Sequence, residues 1–192
     1  MKEPVLEPLL RKMRLGRVLP FIKLYPECHV LDIGCGWNAK LLMTIRPFIS
    51  KGTGIDFKAP TIHDPKISTI EANLTNTLPF KDSFFDVVTM LAVMEHLEDD
   101  LGILKEASRV LKPGGGILIT VPSWNAKPIL EFLSYRMGII NPSEIRDHKR
   151  YYNRKDLTDL VSKVPQLKIE SHQYFQCGCN NLLFLKKEKN DG

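Results

Sequence analysis

Five short apolar runs bounded by turn residues punctuate the first two thirds of the chain: HVLDI (29–33), GTGIDF (52–57), ISTIEA (67–72), FDVVTML (85–91) and GILITV (116–121). Each is too short for a helix and apolar on both faces, the pattern of strands covered on both sides in a parallel sheet. Helical spacing fills the gaps. It runs over 38–49, and over 98–111 with apolar positions at Leu101, Ile103, Leu104, Ala107, Val110 and Leu111. Residues 5–24 carry Leu6, Leu9, Leu10, Met13, Val18, Phe21, Ile22 and Leu24 at similar spacing, with Gly16 and Pro20 as punctuation. The run Lys112-Pro113-Gly114-Gly115 is expected to stop the 98–111 helix and turn the chain into the next strand. Such alternation predicts right-handed strand–helix–strand units. The tail differs: a helix over 156–164 is followed by LKIESHQYF (167–175) and NNLLFLKK (180–187). With no room for a crossover helix between them, these two strands must pair antiparallel. The fold class expected is α/β: three layers around a doubly wound, mostly parallel seven-stranded sheet with an antiparallel strand at the C-terminal end.

The chain of 192 residues suits one domain, 1–192, with an N-terminal helical segment (1–27) and a substrate cap over 124–152. The chain has no apolar run of about 18 residues, which excludes a spanning helix. Its net charge of +5 permits an anionic partner without requiring one. Cys28, Cys35, Cys177 and Cys179 do not form the paired clusters of a zinc site. Charged residues interrupt the N-terminal segment where a secretory signal needs an apolar stretch, so reduced thiols and a cytoplasmic location are expected. The oligomeric state is open.

Candidate chemistry gathers where the first strand meets its helix, at Val30-Leu31-Asp32-Ile33-Gly34-Cys35-Gly36-Trp37-Asn38-Ala39. Gly34 and Gly36 allow a tight turn and a close ligand approach. About twenty residues on, Asp56 ends the second strand, where a carboxylate can accept hydrogen bonds from both ribose hydroxyls of a nucleoside. Gly34-x-Gly36-x-x-Ala39 with Asp56 also satisfies the loose dinucleotide pattern. Asp32 separates the two readings. A carboxylate there suits a ligand carrying an ammonium group and would repel a pyrophosphate.

These residues resemble the class I S-adenosylmethionine-dependent methyltransferases, in particular the small type 11 methyltransferase domains. VLDIGCGW is similar to the family's first motif, GIDF to its ribose-binding second, LPFKDSFFDVVTMLAVMEHLED to the stretch through the fourth strand, and LKPGGGILITVPS to the fifth. The resemblance covers most of residues 28–123. It implies a Rossmann-like sheet whose seventh strand is antiparallel, S-adenosyl-L-methionine as cofactor, and cofactor-binding positions at Asp32, Gly34, Cys35, Gly36, Asp56, Phe57, Asn73, Leu74 and Leu91. Asn38 stands where the family usually has a third glycine, and Asn tolerates the left-handed backbone that turn would need. Asn73 stands where relatives commonly place an aspartate facing the adenine amine. Its Oδ1 can accept that bond, and a loop-capping role competes.

Methyl transfer from a sulfonium needs mainly orientation and a dry site. An oxygen or nitrogen nucleophile can also need a base. His96, after the fourth strand, is a candidate base or substrate contact, set against packing at the start of a helix. Relatives with a Glu-x-x-Glu-His cluster bind a divalent cation; here the first Glu position is Ala92, so no metal is expected. His148 is a candidate substrate-side contact within Asp147-His148-Lys149-Arg150-Tyr151-Tyr152, where five Lys or Arg against one Asp over 146–155 suggest a lid for an anionic substrate or a solvated basic face. Trp124, Tyr135 and Met137 are candidates for an apolar cap. The Tyr151-x-x-x-Lys155 pair echoes short-chain dehydrogenases, but the glycine spacing and chain end do not fit. The acceptor expected is a small-molecule or lipid-like compound methylated on O or N, and the basic segment leaves an anionic one open. A nucleic-acid acceptor, argued against by missing base-methyltransferase motifs, and an adenosyl-binding domain without turnover are the alternatives.

Overall fold

The computed structural model of the chain describes residues 7–74, 77–129 and 149–189. Its elements follow the order α1 (Glu7–Ile22), β1 (His29–Ile33), α2 (Lys40–Ile45), β2 (Lys51–Asp56), β3 (Ile67–Glu71), β4 (Phe85–Leu91), α3 (Asp100–Val110), β5 (Leu111–Pro122), α4 (Arg154–Ser162), β6 (Leu167–Phe175) and β7 (Asn180–Lys187). One 3-10 turn, Arg46–Phe48, extends α2, and another, Met94–His96, follows β4.

The seven strands form one sheet ordered β3-β2-β1-β4-β5-β7-β6. All neighbours from β3 to β5 are parallel, while β7 runs antiparallel to both β5 and β6. Strand order reverses between β1 and β4, and the carboxyl ends beside such a switch leave an open crevice. The glycine loop leaves β1 at that point.

Period-two alternation explains why the strands read as apolar throughout. Leu31, Ile33, Val88, Met90, Ile117 and Ile119 join one buried cluster with Leu104 and Ala107 of α3 and Leu157, Leu160 and Val161 of α4. Their neighbours Val30, Val87, Leu118, Leu182 and Phe184 join another with Val18 and Ile22 of α1 and Leu42 and Ile45 of α2. Both faces of the sheet are therefore covered.

Several boundaries follow from identifiable chemistry. The Asp99 carboxylate accepts the Gly102 N–H at 2.7 Å, fixing the start of α3. Asn153 forms a capping box with Asp156, so α4 begins at Arg154 rather than at 156. The Lys112–Gly115 run does not act as the expected turn. The helix ends at Val110, Leu111 already pairs with Phe85, and β5 continues extended through Pro113, with a register shift between Phe85 and Val87. The helix expected over 38–49 is shorter, six residues, because Pro47 tightens its end into the 3-10 turn. Most of the 124–152 cap segment lies outside the described residues. Among the described residues no helix is long and apolar enough to cross a membrane.

Phe85 is fully buried, with ring centroids 4.6 Å from His29, 5.0 Å from Phe80 and 5.0 Å from Phe84. Phe85→Ala is expected to lower the urea-unfolding free energy by about 3–5 kcal/mol, with an unchanged denaturant slope.

Candidate functional site

The loop after β1 closes the crevice floor through backbone bonds. Gly34 N–H donates to Ile55 O at 2.8 Å and Cys35 N–H to the same oxygen at 3.3 Å. Gly34 and Gly36 hold φ of 74° and 70°, the left-handed region that side chains disfavour. A Cβ on Gly34 would stand 2.3 Å from Val93 Cγ2, so the loop can seat against the turn after β4 only because residue 34 lacks one. Around Gly36 a Cβ would meet nothing within 4 Å, which leaves an open cradle over the loop. The Asp56 carboxylate ties the loop to β2: Oδ2 accepts the Gly36 N–H and Oδ1 the Lys58 N–H, both at 2.9 Å. A carboxylate has about four acceptor positions, so Asp56 retains two for a ligand. The left-handed residue opening α2 is Ala39 (φ 43°), not Asn38, so the turn does not draw on the tolerance expected of Asn38.

Asp32 lies buried below this loop and accepts a 2.6 Å hydrogen bond from Thr89 Oγ1. Burial pushes its carboxyl up to about 7, assisted by nearby Asp56 and opposed by the Thr89 donor. A cation brought beside it would reverse that shift. Sequence reading missed Thr89; the available signal was a polar residue inside an apolar strand, in register with Asp32. Cys35 is buried with its Sγ turned to Gly54, where a Cβ would stand 2.7 Å away. Burial, Asp32 and Asp56 push its thiol up to about 12, leaving it unreactive at neutral pH.

The remaining expected positions border the same crevice at the carboxyl ends of the strands. Phe57, directly after Asp56, is 59% exposed. Ala72 N–H donates to Asp56 O at 2.9 Å and so brings the segment bearing exposed Asn73 and half-buried Leu74 beside Asp56. Leu91 is half-buried at the end of β4. Trp37 stands 70% exposed on the glycine loop.

His96 is exposed and lines an open cleft of about 720 Å³ with Leu74, Thr77, Leu97 and Lys149. Leu74 joins that cleft to the crevice. His148, Tyr135 and Met137 lie outside the described residues. The basic lid is corrected in part: Lys149 pairs with Glu98 at 3.0 Å, Arg150 with Asp100 at 2.6 Å, and Tyr152 Oη donates to Asp100 at 3.0 Å. Two of the cations expected to attract an anion are thus held by carboxylates some fifty residues away in sequence. Lys149 N–H also donates to Glu95 O at 2.8 Å, pinning this strap over the turn after β4. The sequence places Glu95 at the start of a helix; the structure puts it in the 3-10 turn after β4, 1% exposed.

The model of a family described as a methyltransferase domain matches residues 31–119. A probable S-adenosylmethionine-dependent methyltransferase of Mycolicibacterium smegmatis is 31% identical over 139 residues, covering 69% of this chain and 49% of that protein. The demethylmenaquinone methyltransferase of Listeria monocytogenes is 28% identical over 141 residues, covering 64% of this chain and 59% of that protein. The chain thus spans about half the length of the curated relatives it matches. A crystal structure of an S-adenosylmethionine-dependent methyltransferase from Methanosarcina mazei superposes with a TM-score of 0.65 at 19% identity, covering 90% of this chain and 98% of that one, a likeness of fold.

Gly34→Ala combines a left-handed φ with the Val93 overlap and is expected to cost about 2–4 kcal/mol in chemical denaturation, whereas Gly36→Ala, with open space, should cost about 1–2 kcal/mol. Asp32 also sets a pH dependence. Its folded carboxyl titrates above the unfolded one, so the folded state holds the extra proton between about 4 and 7. The stability it contributes is present in full below about pH 4 and is lost as pH rises through 7. Unfolding free energy should therefore fall across that window, Glu95, pushed up likewise, adding to the fall, and Asp32→Asn should make the fall shallower by Asp32's share.

Proposed function

The chain belongs to the class I S-adenosylmethionine-dependent methyltransferase family, and on that premise we propose that it transfers a methyl group to an oxygen or nitrogen of a small, lipid-like acceptor. The observation that carries this reading is the pair of carboxylates set around the glycine loop. Asp56 accepts two backbone N–H bonds beside the glycine loop and has acceptor capacity left, and Asp32 sits buried two residues before Gly34. A nucleoside with two ribose hydroxyls and a cationic amino-acid tail fits that donor–acceptor set. A pyrophosphate would meet an acid where it needs N–H donors and positive charge.

S-adenosylmethionine supplies an activated methyl on a sulfonium whose leaving group is already good. The protein's share is then placement and exclusion of water. Gly34 and Gly36 let the ligand approach the backbone, and Asp56 orients the ribose. Phe57 and Leu74 offer apolar surface to an adenine ring, with Asn73 beside it to accept from the exocyclic amine. Asp32, held by Thr89, answers the ammonium group. His96 faces the adjoining cleft, where it can contact the acceptor.

A lipid-like acceptor is supported by the demethylmenaquinone methyltransferases among the relatives and by exposed apolar side chains on α1 and after β5. Leu9 and Met13 of α1 and Trp124 after β5 are exposed, at 56%, 43% and 55%. Such surface suits a prenylated or otherwise apolar molecule better than a fully hydrated one.

Calorimetric titration checks the cofactor assignment. S-adenosylmethionine and S-adenosylhomocysteine are expected to bind, and NAD(P)H is not. Asp56→Ala should weaken both adenosyl ligands by about tenfold or more through loss of the ribose bonds. Binding of NAD(P)H in their place would overturn the assignment.

A further inference from the structure

Among the described residues, three buried side-chain atoms have no hydrogen-bond partner: Arg14 Nε, Glu95 Oε2 and Thr120 Oγ1. Leaving a buried polar atom unpaired costs about 1–3 kcal/mol, and such atoms concentrate where a ligand supplies the missing bond. Here all three belong to one corner of the molecule. Thr120 lies in β5 opposite Leu91, the last residue of β4, and is fully buried. Ala92 N–H donates to Thr120 O at 2.9 Å, which ties residue 120 to the turn that carries Glu95. Thr120 shares its sheet face with Leu118, whose buried cluster contains Val18 and Ile22 of α1. Arg14 comes from the same helix, and its charge acts on the Glu95 carboxyl. The Gln176 side-chain amide donates to Leu10 O at 2.9 Å and holds that half of α1 over the carboxyl ends of the strands.

The corner adjoins the cofactor crevice on the same sheet face. Thr89, the partner of Asp32, pairs with Leu118 in register, and Thr120 lies one step further out along β5. A carboxyl and a guanidinium in electrostatic reach of each other, and a buried hydroxyl on the strand bonded to the carboxyl's turn, thus lie just past the residues assigned to the cofactor's charged end.

We infer that Glu95, Thr120 and Arg14 form the polar subsite for the methyl acceptor, and that this subsite takes a hydroxyl flanked by a carbonyl or carboxylate oxygen. This rests on the reading that the glycine crevice holds S-adenosylmethionine. Glu95 Oε2 receives the hydroxyl proton and Thr120 Oγ1 hydrogen-bonds the same oxygen. The Arg14 Nε–H donates to the neighbouring oxygen. As the oxygen–methyl bond forms, the sulfur–methyl bond breaks and its electron pair stays on sulfur. The cationic sulfonium becomes a neutral thioether while the Glu95 carboxylate becomes a neutral acid, so charge balances. Burial pushes the Glu95 carboxyl up to about 7, against the pull of its own backbone N–H and of Arg14, close to the range where a base works best at neutral pH. His96, next in the chain, is exposed on the neighbouring cleft and stands outside this subsite.

The test uses the whole chain loaded with S-adenosylhomocysteine and titrated with 2-hydroxybenzoate, which presents a hydroxyl beside a carboxylate, and with benzoate as its hydroxyl-free counterpart. Wild type is expected to bind 2-hydroxybenzoate about tenfold tighter than benzoate. Glu95→Gln and Thr120→Val should each erase most of that preference, while Arg14→Gln should weaken both probes by about fivefold or more. Affinity for S-adenosylhomocysteine should stay within about twofold in every variant that shows a native circular dichroism spectrum. If Glu95→Gln fails to fold, Thr120→Val and Arg14→Gln decide the matter. Equal binding of the two probes, no binding of either, or a preference that survives these variants would overturn the subsite while leaving the cofactor assignment intact. Failure of wild type to bind S-adenosylhomocysteine would overturn the cofactor assignment instead.

Discussion

The seat of Gly34 against Val93 is the contact on which the crevice depends. The loop after β1 and the turn after β4 leave neighbouring strands at the point where strand order reverses, and each must bend away without blocking the other. Only a residue without a Cβ, in a left-handed conformation, lets them close to this distance. That closeness fixes three further placements. The Gly36 N–H reaches the Asp56 carboxylate, Asp32 stays buried beneath the loop against Thr89, and Glu95 is carried inward on the turn that begins beside Val93.

Burial around that contact shapes the electrostatics more than ion pairing does. Asp32 and Glu95 are both almost fully enclosed, and for both the loss of water is the largest influence on the carboxyl. Two acids poised near neutrality beside one crevice destabilise the empty protein and favour a cationic ligand. Exposed Glu98 and half-buried Asp100 behave differently. Glu98 and Asp100 hold Lys149 and Arg150 and so fasten the strap that precedes α4. Asp32 and Glu95 suit ligand chemistry, whereas Glu98 and Asp100 suit anchoring.

Much of this was legible in the chain itself. The bounds of β1, β4, β6 and β7 coincide with apolar runs because turn-forming residues flank each of them, and the antiparallel pairing of the tail followed from the shortness of its connection. The extension of β5 through Lys112-Pro113-Gly114-Gly115 was not legible, since Leu111 turns extended only by pairing with Phe85 across the sheet. Local propensity favours a turn there, and tertiary pairing overrides it. At the site, the glycines and Asp56 announced themselves by spacing, and their geometry is compatible with the roles expected of them. Glu95 did not, because MEHLED reads as a polar helix start and nothing local reveals that the chain at Lys149 crosses it and that the charge of Arg14 reaches it. The pairing of Lys149 and Arg150 with acids fifty residues away was hidden for the same reason.

The central claim is that the crevice grips an adenosyl ligand through a buried acid that must ionise to receive a positive charge. Calorimetry of S-adenosylmethionine binding at pH 7, repeated in buffers of different ionisation enthalpy, measures this directly. Burial that pushes the Asp32 carboxyl up to about 7 predicts that binding a cation there releases a fraction of a proton, and that Asp32→Asn removes most of that release. Binding without proton exchange, or an unchanged release in the variant, would contradict the account.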